Sequence, residues 1–328
     1  MYSPKNILVT GGCGFIGSNF INYMLETYHD IFILNIDKLD YCADTNNVKE
    51  FSPDRYQLVV SDINNTSCIS SMLRRYNIDT IIHFAAQSHV DNSFGNSIQF
   101  TEDNVLGTHC LLECAREYGN IKLFLHISTD EVYGEVDRNH PGCEEEKSLL
   151  NPTSPYAATK AAAEFLVRSY YHSFKLPIII TRGNNVYGER QYPEKLIPRF
   201  ITNLLQNKKC PIHGNGLSRR NFIYVSDVCK AVDTIMRKGK INEIYNIGSS
   251  DEYNVLEVLQ YLLTLLDIDK SIDEVSEKVE DRLFNDFRYC VNSTKLENLD
   301  WKQETNFIEG LIKTIEYYKA RQDSQEKN

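Results

Sequence analysis

The sequence predicts an α/β fold, a doubly wound parallel sheet joined to a smaller mixed α/β C-terminal lobe. Two observations carry this. Short, almost continuously apolar runs recur, each followed by a longer stretch with helical spacing, and the rhythm changes to mixed polar segments after about residue 185. A strand covered on both faces reads as an unbroken apolar run, and alternation with helices makes neighbouring strands parallel.

In chain order the predicted strands are Asn6 to Thr10, Ile31 to Ile36, Tyr56 to Val60, Thr80 to Phe84, Lys122 to Ser128 and Pro177 to Thr181. The later segments include the Pro- and Gly-containing run Cys210 to Gly216 and helical patterns at Val255 to Leu266 and Phe307 to Tyr318. Phe222 to Val225 and Glu243 to Ile247 also read as strands, so the two lobes are expected to interleave. With 328 residues, 42% of them hydrophobic, the chain can fill one large or two ordinary cores.

Charge and cysteine usage exclude several classes. A net charge of −10 argues against a nucleic-acid surface, which needs clustered Lys and Arg. Nine cysteines, an odd number without a C-x-x-C pair or zinc-type spacing, fit free thiols in a reducing cytosol and no metal centre. No apolar run approaches the roughly 20 residues that span a bilayer. Met1 to Lys5 lead straight into Ile7-Leu8-Val9, which leaves no room for a signal segment. A cytoplasmic protein without membrane contact is expected.

Directly after the first strand, Thr10-Gly11-Gly12-Cys13-Gly14-Phe15-Ile16-Gly17 sets glycines at 11, 14 and 17 where a helix begins. Glycines let backbone close on a pyrophosphate, and the helix N-terminus offers N–H groups and positive dipole to it. The second strand ends in Asp37, twenty residues past Gly17, where a carboxylate accepts from ribose hydroxyls and repels a 2′-phosphate. NAD is therefore favoured over NADP, with Lys38 the one adjacent cation. Asp62-Ile63 after the third strand and Phe84-Ala85-Ala86 after the fourth are expected against the same cofactor. The fold is thus Rossmann-type, with residues 1–185 expected to bind NAD, segments of about 220–250 interleaved, and residues 186–328 mainly the substrate-binding lobe.

Tyr156-Ala157-Ala158-Thr159-Lys160 puts a phenol and an ammonium on one helix face. Ser154-Pro155 marks the helix start as an N-cap followed by proline at the first helical position. Tyr118/Lys122 and Tyr171/Lys175 share the spacing but sit where helices end. A lysine beside tyrosine is expected to lower the phenol's pKa so that Tyr156 serves as a base. The fifth strand ends in Ser128-Thr129-Asp130-Glu131-Val132-Tyr133-Gly134, at the carboxyl edge where open α/β sheets bind ligands. Two adjacent acids held away from water do not both ionise easily, so one can donate a proton while the other accepts.

With these residues the chain resembles the extended short-chain dehydrogenase/reductases and, within them, the nucleoside-diphosphate-glucose 4,6-dehydratases, over Asn6 to about Tyr318. Thr129-Asp130-Glu131 is the most specific element. It is supported by Asp37 to Cys42, Ala85 to Ser97 and Arg182 to Gly188. The likeness is greatest to the dehydratase domain of plant UDP-rhamnose synthases. Gln87 and Asn285 stand where bacterial dTDP-glucose enzymes typically carry Glu and His.

The resemblance implies a UDP-glucose 4,6-dehydratase, with dTDP-glucose the alternative substrate and a sugar 4-epimerase or a silent NAD-binding regulator further alternatives. It assigns catalysis to Thr129, Asp130, Glu131, Tyr156 and Lys160, and adds Leu39, Ser88 and Asn185 to the cofactor contacts. Substrate contacts are implied at Ser88, Thr129, Asn184, Lys195, Leu196, His213, Arg220, Asn254, Arg282 and Asn285. The two arginines suit a diphosphate, because guanidinium meets its oxygens bidentately. A homodimer through the helices around Thr101 to Tyr118 and Tyr156 to Tyr171 is implied as well.

Overall fold

Residue alternation in the strands explains the sheet. Ile7, Val9, Ile33, Ile82, Leu125 and Ile179 point to one side, and Leu8, Leu34, Ile81, Phe124, Ile178 and Ile180 to the other, all buried. Both faces of every central strand are therefore apolar. The computed structural model describes residues 2–136, 142–280 and 286–326. Its main sheet has seven parallel strands in the order β10-β6-β5-β4-β1-β2-β3. These are β1 (Asn6–Thr10), β2 (Phe32–Asp37), β3 (Tyr56–Val60), β4 (Thr80–His83), β5 (Leu123–Thr129), β6 (Ile178–Gly183) and β10 (Ile244–Ile247).

Helices α1 (Phe15–Thr27) and α6 (Val225–Lys238) cover the first face through Phe20, Met24, Val232 and Ile235. Helices α2 (Thr66–Arg75), α3 (Gly107–Tyr118) and α4 (Pro155–Phe174) cover the second through Leu73, Leu111 and Val167. A third core lies under α5 (Leu196–Leu205), α7 (Val255–Leu265) and α8 (Phe307–Glu326). It includes the three-stranded sheet β11-β9-β7, built from β7 (Asn185–Tyr187), β9 (Arg219–Tyr224) and β11 (Glu252–Asn254). Strands β8 (Cys210–His213) and β12 (Ser276–Val279) form a parallel pair beside it. The chain leaves the large sheet after β6, pairs β9 with β7, and returns through α6 to β10 at the large sheet's edge.

The cysteine expectation needs correction. Cys143 and Cys290 are joined as a disulfide, with Cα atoms 4.8 Å apart, and the other seven are free. The Glu144 N–H donates to the Cys290 carbonyl at 2.9 Å, and this backbone contact across 147 positions of sequence brings the two sulfurs together. Spacing along the chain could not reveal it. No helix of the described residues is long and apolar enough to cross a membrane.

Candidate active site

The glycine loop is shaped by close backbone approach. Gly11 adopts φ +71°, and a Cβ there would lie 2.7 Å from the backbone of Ala85. A Cβ on Gly17 would lie 2.4 Å from the Gly11 carbonyl oxygen. Gly14 is the N-cap of α1 and supplies no side-chain hydrogen bond, so the helix opens into the cleft with its backbone uncovered. A side chain at these positions would fill the cradle that a pyrophosphate needs, and the dinucleotide fits the residues present.

Asp37 fixes the far wall. Its carboxylate accepts from the Cys13 N–H at 2.9 Å and the Leu39 N–H at 2.8 Å, which aims it into the cleft beside the loop. Lys38 is occupied by acids: its ammonium lies 2.7 Å from Asp103, 3.7 Å from Asp40 and 3.9 Å from Asp62. The cation next to Asp37 is thus neutralised, and the wall suits ribose hydroxyls better than a 2′-phosphate.

Gly11, Gly14, Phe15, Ile16, Gly17, Asp37, Lys38, Asp62, Ile63, Phe84, Ala85, Ala86, Ser88, Tyr156 and Lys160 all line this one cleft. Two residues expected there lie elsewhere. Leu39, at φ +59°, turns into a neighbouring hollow, and Asn185 lines the adjoining hollow on the sugar side. Gln191, Tyr192 and Glu194 roof the cofactor cleft. They come from a loop without a motif, and no sequence signal marks them.

The reactive groups gather where β5 ends against the start of α4. Ser154 caps that helix by accepting from the Ala157 N–H at 3.1 Å, and Pro155 follows it. Tyr156 is buried, with Phe100 edge-on to its ring at 6.3 Å. Lys160 is buried one turn on and donates to the Ile127 carbonyl at 2.7 Å. Burial lowers its pKa to about 8. The expectation of a lowered phenol pKa is corrected. Burial first, then the charge of Glu131, raises it, and the Thr129 hydroxyl opposes them only in part.

The two acids have different surroundings. Asp130 is buried and accepts from the Asn184 amide at 2.7 Å and the Thr129 hydroxyl at 3.2 Å. Burial pushes its pKa up to about 6 against those two hydrogen bonds. Glu131 projects into the hollow beside it, and burial, with the charge of Asp130 added, pushes it up to about 7. Near neutrality neither acid is far from its own titration point, so each can hand over or take up a proton there.

The hollow next to these acids brings together Ser88, Glu131, Asn185, Lys195, Leu196, His213 and Arg220 from distant segments. Thr129 and Asn184 lie just behind, hydrogen-bonded to Asp130. Asn254 is not in that lining. It caps α7, accepting from the Glu257 N–H at 2.9 Å. Arg282 and Asn285 lie outside the described residues. Asp286 and Tyr289 also line the hollow and were not foreseen, although they follow directly on that pair of expected contacts. Among the described residues no cluster of His, Cys, Asp or Glu could hold a metal ion.

A Rossmann-type sheet whose glycine loop faces a Tyr-x-x-x-Lys helix defines an extended short-chain dehydrogenase/reductase. More narrowly, residues 8–314 match the GDP-mannose 4,6 dehydratase family, and the chain belongs to it. It is 48% identical over 321 residues to the trifunctional UDP-glucose 4,6-dehydratase/UDP-4-keto-6-deoxy-D-glucose 3,5-epimerase/UDP-4-keto-L-rhamnose-reductase RHM3 of Arabidopsis thaliana. That match covers 97% of this chain and 48% of the plant protein, so the chain spans about half the length of that relative. It is 45% identical to the dTDP-D-glucose 4,6-dehydratase of Mus musculus, covering 96% of this chain and 89% of the other. Among solved structures, dTDP-glucose 4,6-dehydratase of Bacillus anthracis in complex with NAD superposes with a TM-score of 0.89 at 40% identity, over 97% of this chain and 98% of that one.

Proposed function

We propose that this chain is an NAD-dependent nucleotide-sugar 4,6-dehydratase acting on UDP-glucose, with dTDP-glucose the second reading. The observation that supports the reaction class is Glu131 in the lining of the sugar hollow, with Asp130 buried directly before it on the Asn184 amide, next to the cleft that Tyr156 and Lys160 line. A 4-epimerase has no use for a buried acid pair with two raised pKa values. UDP-glucose is favoured by Gln87 and by the likeness to plant dehydratases, whereas relatives of similar identity act, by their names, on dTDP-glucose.

NAD, which the glycine loop and Asp37 would hold, would supply a hydride acceptor that can give the hydride back, so that the net change is loss of water. The chain's own groups move the protons. Tyr156 takes the O4 proton, with Thr129 beside the phenol and Lys160, one turn away, the chain's own source of positive charge for the phenolate. A C4 ketone acidifies C5, and Glu131 removes that proton. Asp130 protonates the departing C6 hydroxyl, and Glu131 gives a proton back to C5. Arg220 meets the diphosphate, with Arg282 proposed to join it, and Lys195 and His213 close around the rest of the substrate, with Asn184 behind them holding Asp130.

We further propose a homodimer through the helices at 101–118 and 156–171. Its support is exposed apolar side chains on neighbouring elements: Ile98, Leu106 and Phe165. A cytoplasmic location is proposed on seven of the nine cysteines being unpaired, with the Cys143–Cys290 disulfide standing against it. The deciding experiment is separate incubation with UDP-glucose and dTDP-glucose, followed by mass measurement. A product one water lighter is expected with UDP-glucose at the higher kcat/KM. Loss of water from neither substrate overturns the reading, and a preference for dTDP-glucose overturns only its nucleotide.

A further inference from the structure

Asp286 is the buried acid that the scheme above leaves unused. It is 4% exposed and follows β12. One carboxylate oxygen accepts from the Tyr289 hydroxyl and, at 2.7 Å, from the Thr153 hydroxyl. Thr153 immediately precedes Ser154, the cap of the helix that carries Tyr156. The same acid therefore ties the start of the tyrosine helix to a wall of the sugar hollow. Its other oxygen, Oδ1, is buried without a hydrogen-bond partner.

A carboxylate with one dry, unpaired oxygen is a poor choice for packing. A neutral Asn would accept from both hydroxyls and spare the buried charge, while its NH2 group would take the dry Oδ1 position. Asp286 and Glu131 both line the sugar hollow. The other groups acting on Glu131 are Asp130 on its own turn, Arg220 on β9 and Lys195 ahead of α5. Tyr156 and Tyr289 feel its charge in turn. Arg220 stacks over the Tyr289 ring at 4.7 Å, so Tyr289, held by Asp286, also sets where that cation sits.

We propose that Asp286 is a positioning residue that sets a negative charge in the hollow Glu131 lines and whose hydrogen bonds hold Tyr289 and the start of α4 around that carboxyl. This rests on Glu131 being the base of the dehydratase reading. Asp130 acts on Glu131 in the same direction, and Arg220 and Lys195 oppose both.

The test is the dependence of kcat on pH. Asp286→Asn keeps an acceptor for both hydroxyls and removes only the charge. Glu131 then gives up its proton more readily, and the acid limb moves to lower pH. The ratio of kcat at pH 6 to kcat at pH 8 is expected to rise roughly 2- to 3-fold, a shift of about 0.3 to 0.6 pH unit. Asp286→Glu keeps the charge and should leave the limb where it is. Asp286→Ser is a second neutral variant should the Asn form not fold. A neutral variant that folds, lowers kcat equally at every pH and leaves the ratio unchanged overturns the proposal and leaves Asp286 a structural link. A wild-type enzyme that removes no water from either sugar nucleotide defeats the dehydratase reading itself, which separates the two failures.

Discussion

The two sides of the cleft are held by different means. On the cofactor side the wall is backbone, with Gly11 against Ala85, Gly17 against the Gly11 carbonyl, and Asp37 pinned by two N–H groups. On the sugar side the wall is side chains from separate segments, held through buried charge. Arg182, 2% exposed, pairs with Glu164 at 2.6 Å and stacks over the Tyr133 ring at 4.7 Å. Tyr133 closes the turn that begins at Asp130 and donates to Asn246 at 2.8 Å. The first wall is stiff because tight turns leave it nowhere to go. The second is stiff only while its ion pair and hydrogen bonds are complete.

Tyr156 stands where the sides meet, and its loss should break both. Tyr156→Phe removes the acceptor for the O4 proton, so NADH should not accumulate and keto-sugar formation should fall toward the upper end of roughly 10²–10⁴-fold. Stopped-flow absorbance of NADH is the measurement. Wild-type NADH formation in this variant would take the phenol out of the first step.

Glu131→Gln separates the sides instead of breaking both. The cofactor wall and the Tyr156 phenol stay in place, and a charge that raises the phenol's pKa is removed, so C4 oxidation should persist while release of the 4-keto-6-deoxy product slows by roughly 10²–10³-fold. Undiminished product release, followed by mass, would contradict the role given to this carboxylate.

Glu164→Gln tests the sugar wall without touching substrate. An uncompensated Arg182 would remain in the interior, and breaking such a pair costs about 3 kcal/mol or more. Urea unfolding should show that loss. In the folded variant kcat should fall as the Asp130–Tyr133 turn loosens, while NAD affinity, set by the backbone wall, stays within about 2-fold. A variant that loses cofactor affinity as much as kcat would erase the distinction between the walls.

The same contrast explains what could be read from the chain. The cofactor wall comes from residues directly following successive strands, so Gly11, Asp37, Asp62 and Phe84 announce themselves by position. Asp130 and Glu131 do so for the same reason. The sugar wall converges from residues 88, 131, 185, 195, 213, 220, 286 and 289, whose proximity depends on the crossing from β6 to β9 and back to β10. The strand-like runs at 222–225 and 243–247 show that the lobes interleave but not which side chains the crossing brings together, and resemblance alone points to part of that set. Asn185 lies on the sugar wall and Leu39 in a separate neighbouring hollow, while Asn254 is taken up in capping α7. The phenol's pKa was misjudged because a lysine one turn along a helix need not aim its ammonium at the ring, and Lys160 points to the Ile127 carbonyl.

The smallest expected effect concerns stability, and it probes the strain built into the acid pair. Burial raises Asp130 from an ordinary 3.8 to about 6, so the folded chain holds this proton more tightly than the unfolded one. Below about pH 4 both states are protonated and nothing is lost. As pH rises from 4 to 6 the unfolded chain releases the proton first, stability falls, and the full cost is present above pH 6. Asp130→Asn removes that cost, keeps an acceptor for the Asn184 amide, and relieves the like charge on Glu131. The cofactor-free variant should match wild type near pH 4 and exceed it by about 2 kcal/mol at pH 8, read from urea midpoints at both values. A variant less stable than wild type at pH 8 would mean that the donors from Asn184 and Thr129 outweigh desolvation, so that the charged form of Asp130 is the one this fold prefers.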